Sequence, residues 1–391
     1  MNNDIQNVVI IGASHAAAEA ISTLRKSGWS GGISLIGDEK ELPYQRPPLS
    51  KAYYKGELSV EKLAIKNTEF YNTANVDLYL GQRADSINRN DKFVALDSGE
   101  KLHYSHLIIA TGTRARYLPV EGGDLPTIKY LRTISDVDNI KTSLNSNSKL
   151  LIVGAGYIGL EVAASAVKQG VKVTVLEAMD RVLARVTSPV ISEFYQTMHA
   201  QEGVDIRLNA ALEKFESIDG KHSAVLSTGE TLDFDCAIVG IGVIPNVELA
   251  EQAGLECDNG IVVDEFTRTE DPSIYAVGDC SNHPSFIYRK RIRLESVPNA
   301  VAQAKTAAKA ICGEDIAYNQ LPWFWSDQYD VKLQTAGLLQ DYDDFEVNGD
   351  ASSRKFSVSY YKDGKLIALD ALNSPAEFMK SKKAIISAAS E

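Results

Sequence analysis

The sequence predicts an α/β protein with two separate βαβ units of the doubly wound type. Two glycine-rich turns carry the prediction, about 140 residues apart in a chain of 391. In the first, the apolar run Val8-Val9-Ile10-Ile11 meets the turn Gly12-Ala13-Ser14 and then a helical pattern. In the second, Leu150-Leu151-Ile152-Val153 meets Gly154-Ala155-Gly156-Tyr157-Ile158-Gly159. An apolar strand, a turn of tiny residues and a helix opening on it form the phosphate-binding start of a Rossmann-like dinucleotide-binding domain. The length agrees, because 391 residues exceed what one core normally supports and imply two or three domains. Two such turns imply two dinucleotides on one polypeptide, and the default pairing is a flavin with a nicotinamide.

The elements follow in order. After Gly12 the apolar period continues through Ala18, Ile21 and Leu24 to Gly28, and Ile33-Ser34-Leu35-Ile36 reads as a second strand ending in Asp38 and Glu39. An acid there accepts hydrogen bonds from a ribose. Asp38 lies 26 residues after Gly12, beyond the usual ~20, and the Trp29-Ser30-Gly31-Gly32 insertion accounts for the excess. In the second unit, Val171 to Leu176 ends in Glu177, 23 residues after Gly154. That carboxylate favours a free 2′-hydroxyl and repels a 2′-phosphate, so NADH is expected over NADPH, tempered by Arg181 and Arg185 nearby. The first turn departs from the ideal: Ser14 stands where backbone approaches the pyrophosphate, and Ala17 where helix packs on strand. Both are small enough for the fold. Residues 104–113, ending Ala110-Thr111-Gly112-Thr113, and residues 234–246, carrying Gly240-Ile241-Gly242, are a matched pair of apolar strands ending in small residues, as two domain exits would be.

Composition excludes several classes. With 44% hydrophobic and 24% charged residues the chain is an ordinary globular one. No apolar stretch reaches the ~18 residues of a spanning helix, and Met1-Asn2-Asn3-Asp4 lacks the features of a signal peptide. A cytoplasmic protein with no membrane partner is expected, monomeric or weakly dimeric. A net charge of −12 argues against nucleic acid. Cys236, Cys257, Cys280 and Cys312 are scattered, so neither a disulfide framework nor a metal site is expected.

Taken in sequence, Gly12-Ala13-Ser14, Ala110-Thr111-Gly112, Gly154 to Glu161 and Val277-Gly278-Asp279 resemble the flavoprotein reductases with two dinucleotide-binding domains. Arg46-Pro47-Pro48-Leu49-Ser50-Lys51, residues 294–300 and Pro322-Trp323-Phe324-Trp325-Ser326-Asp327-Gln328-Tyr329 narrow the resemblance to the FAD-dependent ferredoxin reductases of oxygenase systems. It implies a glutathione-reductase-like fold, FAD, NADH as donor, and one-electron delivery to a [2Fe–2S] ferredoxin. It also implies a discontinuous FAD-binding domain at 1–115 and 247–318, an NAD-binding domain at 116–246 and a C-terminal α/β interface domain at 319–391. Within the last, Phe356 to Tyr361 and Leu366 to Leu369 read as strands joined by an Asp363-Gly364 hairpin turn.

The resemblance assigns roles residue by residue. Asp279 is the expected holder of the flavin ribityl chain, a helix N-cap being the plainer reading. Ala16, Ala84 and Val297 match backbone contacts to FAD, where only close approach matters. Asp38 matches the adenine-ribose acid, with Glu39 an adjacent rival. Arg46 and Arg132 are expected at the pyrophosphate or flavin, Arg132 within the signature Tyr130-Leu131-Arg132-Thr133, while Arg46 is equally readable as solvated. Lys51 and Glu161 are the expected reaction-centre pair. The family places such a lysine beside flavin N5, where a cation stabilises charge gained on reduction; a surface salt bridge is the alternative. Glu161 stands among small and apolar residues, where an acid is costly unless paired. Tyr157 is either an aromatic cover for the flavin or a packed junction residue. His15 is expected beside the pyrophosphate or facing solvent.

Related enzymes with redox cysteines carry them near residues 41–48, but the first cysteine here is Cys236. Electrons must therefore leave the flavin directly to an external acceptor. Arg289, Lys290, Arg291 and Arg293 reverse the local sign of an acidic chain and are expected to dock an acidic ferredoxin, unless they form a solvated loop. Lys380, Lys382 and Lys383 form a second basic cluster, and Trp325 is placed either on the electron route or in an interface. An NADH oxidase or rubredoxin reductase shares nearly every cofactor motif and differs only in its acceptor, and a non-enzymatic redox-responsive flavoprotein is the remaining alternative.

Overall fold

The computed structural model describes residues 6–390, so Met1 to Asp4 lie outside the described residues. Two five-stranded parallel sheets organise the chain. The first has the spatial order Ile274–Ala276, His106–Ile109, Asn7–Ile11, Gly32–Gly37 and Val76–Leu80. The second runs Asp205–Arg207, Lys172–Leu176, Lys149–Val153, Cys236–Val239 and Ile128–Lys129. In each, a three-stranded antiparallel meander precedes the strand that returns to pair with the central one: residues 84–103 before His106–Ile109 in the first unit and 212–234 before Cys236–Val239 in the second. The central strands Asn7–Ile11 and Lys149–Val153 are apolar throughout their inner length and almost fully buried, because helices cover one face of each sheet and the antiparallel meander covers the other.

The apolar stretches 104–113 and 234–246 are each broken in two. The first gives strands His106–Ile109 and Thr113–Ala115, and the second Cys236–Val239 and Val243–Pro245. Gly112 at φ +64° and Gly242 at φ +105° make the breaks, since that backbone region admits few side chains. Thr113–Ala115 and Val243–Pro245 then pair antiparallel as the crossing between the two units.

Residues 323–390 form a third unit, a five-stranded antiparallel sheet with the helix Pro375–Ser390 against it. Asp363 (φ +48°) and Gly364 (φ +72°) join its strands Lys355–Lys362 and Lys365–Leu372, the backbone a two-residue hairpin requires. One hydrophobic cluster spans all three units, uniting Leu49 and Tyr54 with Leu160 and Ile191 and with Leu333 and Phe356. A buried carboxylate also ties the second unit to the third: Asp370 accepts from Thr187 (2.6 Å), Tyr360 (2.7 Å) and Thr335. With no cation beside it, burial pushes its carboxyl above the usual range.

Candidate functional site

The two glycine turns are built alike. Gly12 has φ +106°, and a Cβ there would lie 2.2 Å from the Ala110 carbonyl oxygen. Gly154 has φ +105°, and its Cβ would lie 2.4 Å from that of Gly240. In each unit the turn is threaded so close to the neighbouring strand that only glycine fits. Ser14 and Gly156 are the corresponding helix N-caps, both extended, at the heads of helices His15–Lys26 and Tyr157–Val167. A Cβ on Gly156 would meet nothing within 4 Å. Its bareness leaves room for something outside the chain to reach the backbone amides of the helix start. Gly159 differs, for a Cβ there would sit 2.3 Å from the Gly154 carbonyl, whereas Ala17 fills the equivalent place in the first unit while fully buried. Ala16 is buried beside it and Ile158 is exposed.

Beyond the first turn lies a cluster of opposite charges. Arg46 binds Glu39 at 2.7 Å, donates to Tyr44 at 2.9 Å and to the Arg132 carbonyl at 2.8 Å. Glu39 also accepts from Tyr44 at 2.6 Å, so of the two adjacent acids it is Asp38 that is left exposed. Arg132 reaches Asp279 at 3.7 Å, Thr113 donates to the same carboxylate at 3.3 Å, and Arg293 donates to the Asp279 carbonyl. Burial raises the Asp279 carboxyl and lowers the Arg132 guanidinium. His15 falls to about 4, first through burial and then through Arg46 and Arg132, so it is neutral at pH 7. Two arginines and a neutral imidazole gathered at a helix start have the charge and donors that suit a pyrophosphate. Ala84, at the head of strand Ala84–Asn88, is buried, and Val297 opens the helix Val297–Ile311.

Thr111 has a further task that its position in the sequence does not announce. It donates to the Asn246 carbonyl at 2.7 Å while the Asn246 side chain donates back to its own at 2.9 Å, clamping the chain crossing. In the second cradle, Glu177 accepts from the Ala155 amide (2.9 Å) and the Met179 amide (3.0 Å), which fixes the carboxylate at its strand end. Arg181 donates to Thr187, Ser192 and Ala184, and is thereby committed to its own loop. Arg185 stays beside Gly242, its guanidinium 4.0 Å from where a Cβ would be.

Where the three units meet, Lys51 and Glu161 form an ion pair at 2.6 Å. Lys51 also donates to the Pro47 carbonyl at 3.2 Å. Ser50 donates to the same Glu161 oxygen at 2.6 Å and Ser326 to the other at 2.7 Å. Glu161 is 6% exposed, and a carboxylate so buried is tolerated because a cation and two hydroxyls compensate it. Tyr157 packs edge-on against Phe324, with ring centroids 4.9 Å apart, and its hydroxyl is buried towards Asp370, Tyr195 and Tyr360.

Within the basic segment Arg289, Lys290 and Arg291 are all exposed; the Arg291 guanidinium also donates to the Val263 and Asn282 carbonyls, and Arg293 pairs with Glu295 at 2.7 Å. Lys382 lies over the Trp323 ring at 5.1 Å, and Trp323 lies against Trp325. Ile287, in the turn before Arg289, packs against the hydrophobic cluster that includes Phe378 and Ile385 of the C-terminal helix. Cys236 and Cys280 are buried with their thiols pushed up, Cys236 to about 11, which leaves them inert. Among the described residues no group of three or more His, Cys, Asp or Glu side chains could hold a metal, and no helix is long and apolar enough to cross a membrane.

Comparison with known proteins agrees with this arrangement. Residues 6–304 match the family described as pyridine nucleotide-disulphide oxidoreductase, and residues 323–391 match the reductase C-terminal family. The chain belongs to the pyridine nucleotide-disulphide oxidoreductases. It is 44% identical to putidaredoxin reductase CamA of Pseudomonas putida over 98% of this chain and 92% of that one. It is 43% identical to rhodocoxin reductase of Rhodococcus erythropolis over 96% and 88%. The solved covalent putidaredoxin reductase–putidaredoxin complex superposes with a TM-score of 0.94, at 43% identity, covering 98% of this chain and 93% of that chain. The fold is thus two dinucleotide-binding domains and a C-terminal domain, and the family uses FAD and NAD(H). The disulphide of the family name has no counterpart before Cys236.

Proposed function

We propose that the protein is an NADH-dependent ferredoxin reductase, passing electrons to a [2Fe–2S] ferredoxin that serves a cytochrome P450 or another oxygenase. The observation that carries the reading is the Lys51–Glu161 pair, held where the units bearing the two glycine turns meet and with no thiol beside it. Bound FAD supplies the conversion between a two-electron hydride donor and a one-electron acceptor.

The residues divide the work. Gly12, Ser14 and Ala16 let FAD approach the first helix start, and His15, Arg46 and Arg132 face its pyrophosphate. Asp38 holds the adenine ribose, while Asp279, anchored by Arg132 and Thr113, holds the ribityl chain. Ala84, Thr111, Gly112 and Val297 contribute backbone and shape. Gly154, Gly156, Ile158, Gly159 and Gly242 frame NADH. Glu177 receives its ribose, and the commitment of Arg181 to its own loop leaves a 2′-phosphate without that partner. Lys51 contributes a fixed cation where reduction adds negative charge. Tyr157, packed on Phe324, forms a wall between the nicotinamide side and the C-terminal domain.

In this proposal FAD belongs to 1–115 and 247–318, NADH to 116–246 and the acceptor interface to 319–391. An acidic ferredoxin docks at the seam flanked by Arg289 and Lys290 on one side and Lys380, Lys382 and Lys383 on the other, with Trp325 between. Arg291 and Arg293 also brace the hairpin through their bonds to Val263, Asn282, Asp279 and Glu295. The test is NADH-dependent reduction of a [2Fe–2S] ferredoxin by the purified yellow protein. Rapid dye reduction with no ferredoxin reduction would overturn the reading.

A further inference from the structure

The strand Trp323–Gln328 has two faces. Alternation along a strand puts Trp323 and Trp325 on one side and Phe324, Ser326 and Gln328 on the other. Phe324 meets Tyr157, and Ser326 and Gln328 enter a line of hydrogen bonds that runs far beyond the Lys51–Glu161 pair. Gln328 Nε2 donates to Ser326 Oγ at 3.2 Å, and Ser326 Oγ donates to Glu161 at 2.7 Å. His199 Nε2 lies 2.7 Å from Gln328 Oε1, and Tyr329 OH lies 3.0 Å from His199 Nδ1. His199, Ser326 and Gln328 are all 1% exposed or less.

The donors can be assigned along this line. With its Nε2 donating to Ser326, the Gln328 amide presents its oxygen to His199, which must then donate from Nε2 and accept at Nδ1 from Tyr329. Every hydrogen bond points the same way, from the half-buried Tyr329 inward to the carboxylate. Burial holds His199 down at about 4, so it is the neutral imidazole that this direction requires. A side-chain amide in the middle does not readily pass a proton, so the line is a brace and not a proton wire. Its members come from all three units: Lys51 from the first, Glu161 and His199 from the second, Ser326, Gln328 and Tyr329 from the third.

We propose that Ser326, Gln328 and His199 are positioning residues that hold Glu161, and through it Lys51, in the orientation the redox reaction uses. The inference rests on the placement of Lys51 at the reaction centre given above. Without the Ser326 donor, one Glu161 oxygen loses its hydroxyl partner and the carboxylate competes more strongly for Lys51, drawing its charge away.

The test is an equilibrium measurement, the extent of flavin reduction against a redox dye, made on the FAD-loaded protein. Ser326→Ala is expected to retain FAD and to lower the equilibrium constant for reduction roughly threefold to tenfold, the effect of one hydrogen bond. Ser326→Thr, which keeps the hydroxyl, restores it. In a Lys51→Met background Ser326→Ala changes nothing, because no cation remains to position. An equal fall in both backgrounds, or none in either, overturns the proposal. The second readout is the ¹⁵N spectrum of the histidines, in which His199 is expected neutral with its proton on Nε2 at pH 7. A proton on Nδ1 overturns the line itself. Failure of the underlying placement has a different signature: Lys51→Met leaves the equilibrium unmoved while the His199 signals still respond to Ser326→Ala.

Discussion

Lys51 Nζ lies 2.6 Å from Glu161 Oε2, and the two residues belong to different parallel-sheet units. The pair is therefore formed only when those units dock, and the docking brings a cation to a buried carboxylate that also accepts from the Ser50 and Ser326 hydroxyls.

Replacing Lys51 with Met should slow flavin reduction by NADH about tenfold to a hundredfold, the loss of one charged interaction worth roughly 1–3 kcal/mol. FAD content should not change. Stopped-flow reduction measures the rate, and a parental rate would make Lys51 a structural residue.

Gly12→Ala and Gly156→Ala should separate. The first drives a Cβ to 2.2 Å from a backbone oxygen, so the expected product is FAD-free or insoluble. The second meets no protein atom within 4 Å. It should fold with FAD bound and show a raised KM for NADH. A normal KM would place the nucleotide elsewhere.

Glu177 and the internal engagement of Arg181 predict faster reduction by NADH than by NADPH. Rates at subsaturating concentrations decide this. Equal rates would mean that Arg185 or another cation receives the 2′-phosphate.

Charge reversal at Arg289 and Lys290, or at Lys382 and Lys383, should slow ferredoxin reduction and flatten its salt dependence while sparing reduction of ferricyanide. Exposed charges are screened within about 8–10 Å at ordinary ionic strength. Because the proposed interface uses both clusters, the double set should weaken encounter more than either alone. Reversal of Arg291 or Arg293 should instead destabilise the hairpin, which urea unfolding would reveal.

His199 and His283 are buried, and both are lowered from 6.5 to about 4 by desolvation, with Arg291 adding to the effect at His283. The unfolded chain therefore takes up these protons first. The stability they contribute is complete above about pH 6.5 and is lost as pH falls towards 4. Together they make stability fall by up to about 2.7 kcal/mol per pH unit in that window. Urea unfolding across pH 4–7 should show His199→Gln with a shallower slope, and an unchanged slope would mean that His199 is already charged when folded.

Much of the site is legible in sequence because strand, turn and terminal acid are local: Gly12 and Gly154 announce both cradles, and Glu177 follows at the expected distance. Asp38 and Glu39 were not separable, since what distinguishes them is Arg46 and Tyr44 closing on Glu39 in space. The bonds that Arg291 and Arg293 make to Val263, Asn282 and Glu295 were equally hidden, because a run of cations looks the same whatever its side chains reach. His199 and Asp370 gave no signal, as their partners lie 129 and 183 residues away in the cases of Gln328 and Thr187. A lone buried polar residue acquires meaning only from the neighbours that the fold supplies.

The antiparallel crossing of Thr113–Ala115 with Val243–Pro245 means that the second unit enters and leaves the chain at one spot. Topologically it is a cassette: a short turn could close the gap, and a relative's unit could be grafted through the same doorway. Its surface says otherwise, for Leu160, Ile191 and Tyr195 share one cluster with residues of both neighbours. A transplant would succeed only if those facing side chains travelled with it, so the unit of inheritance here is a segment plus the imprint it leaves on the other two.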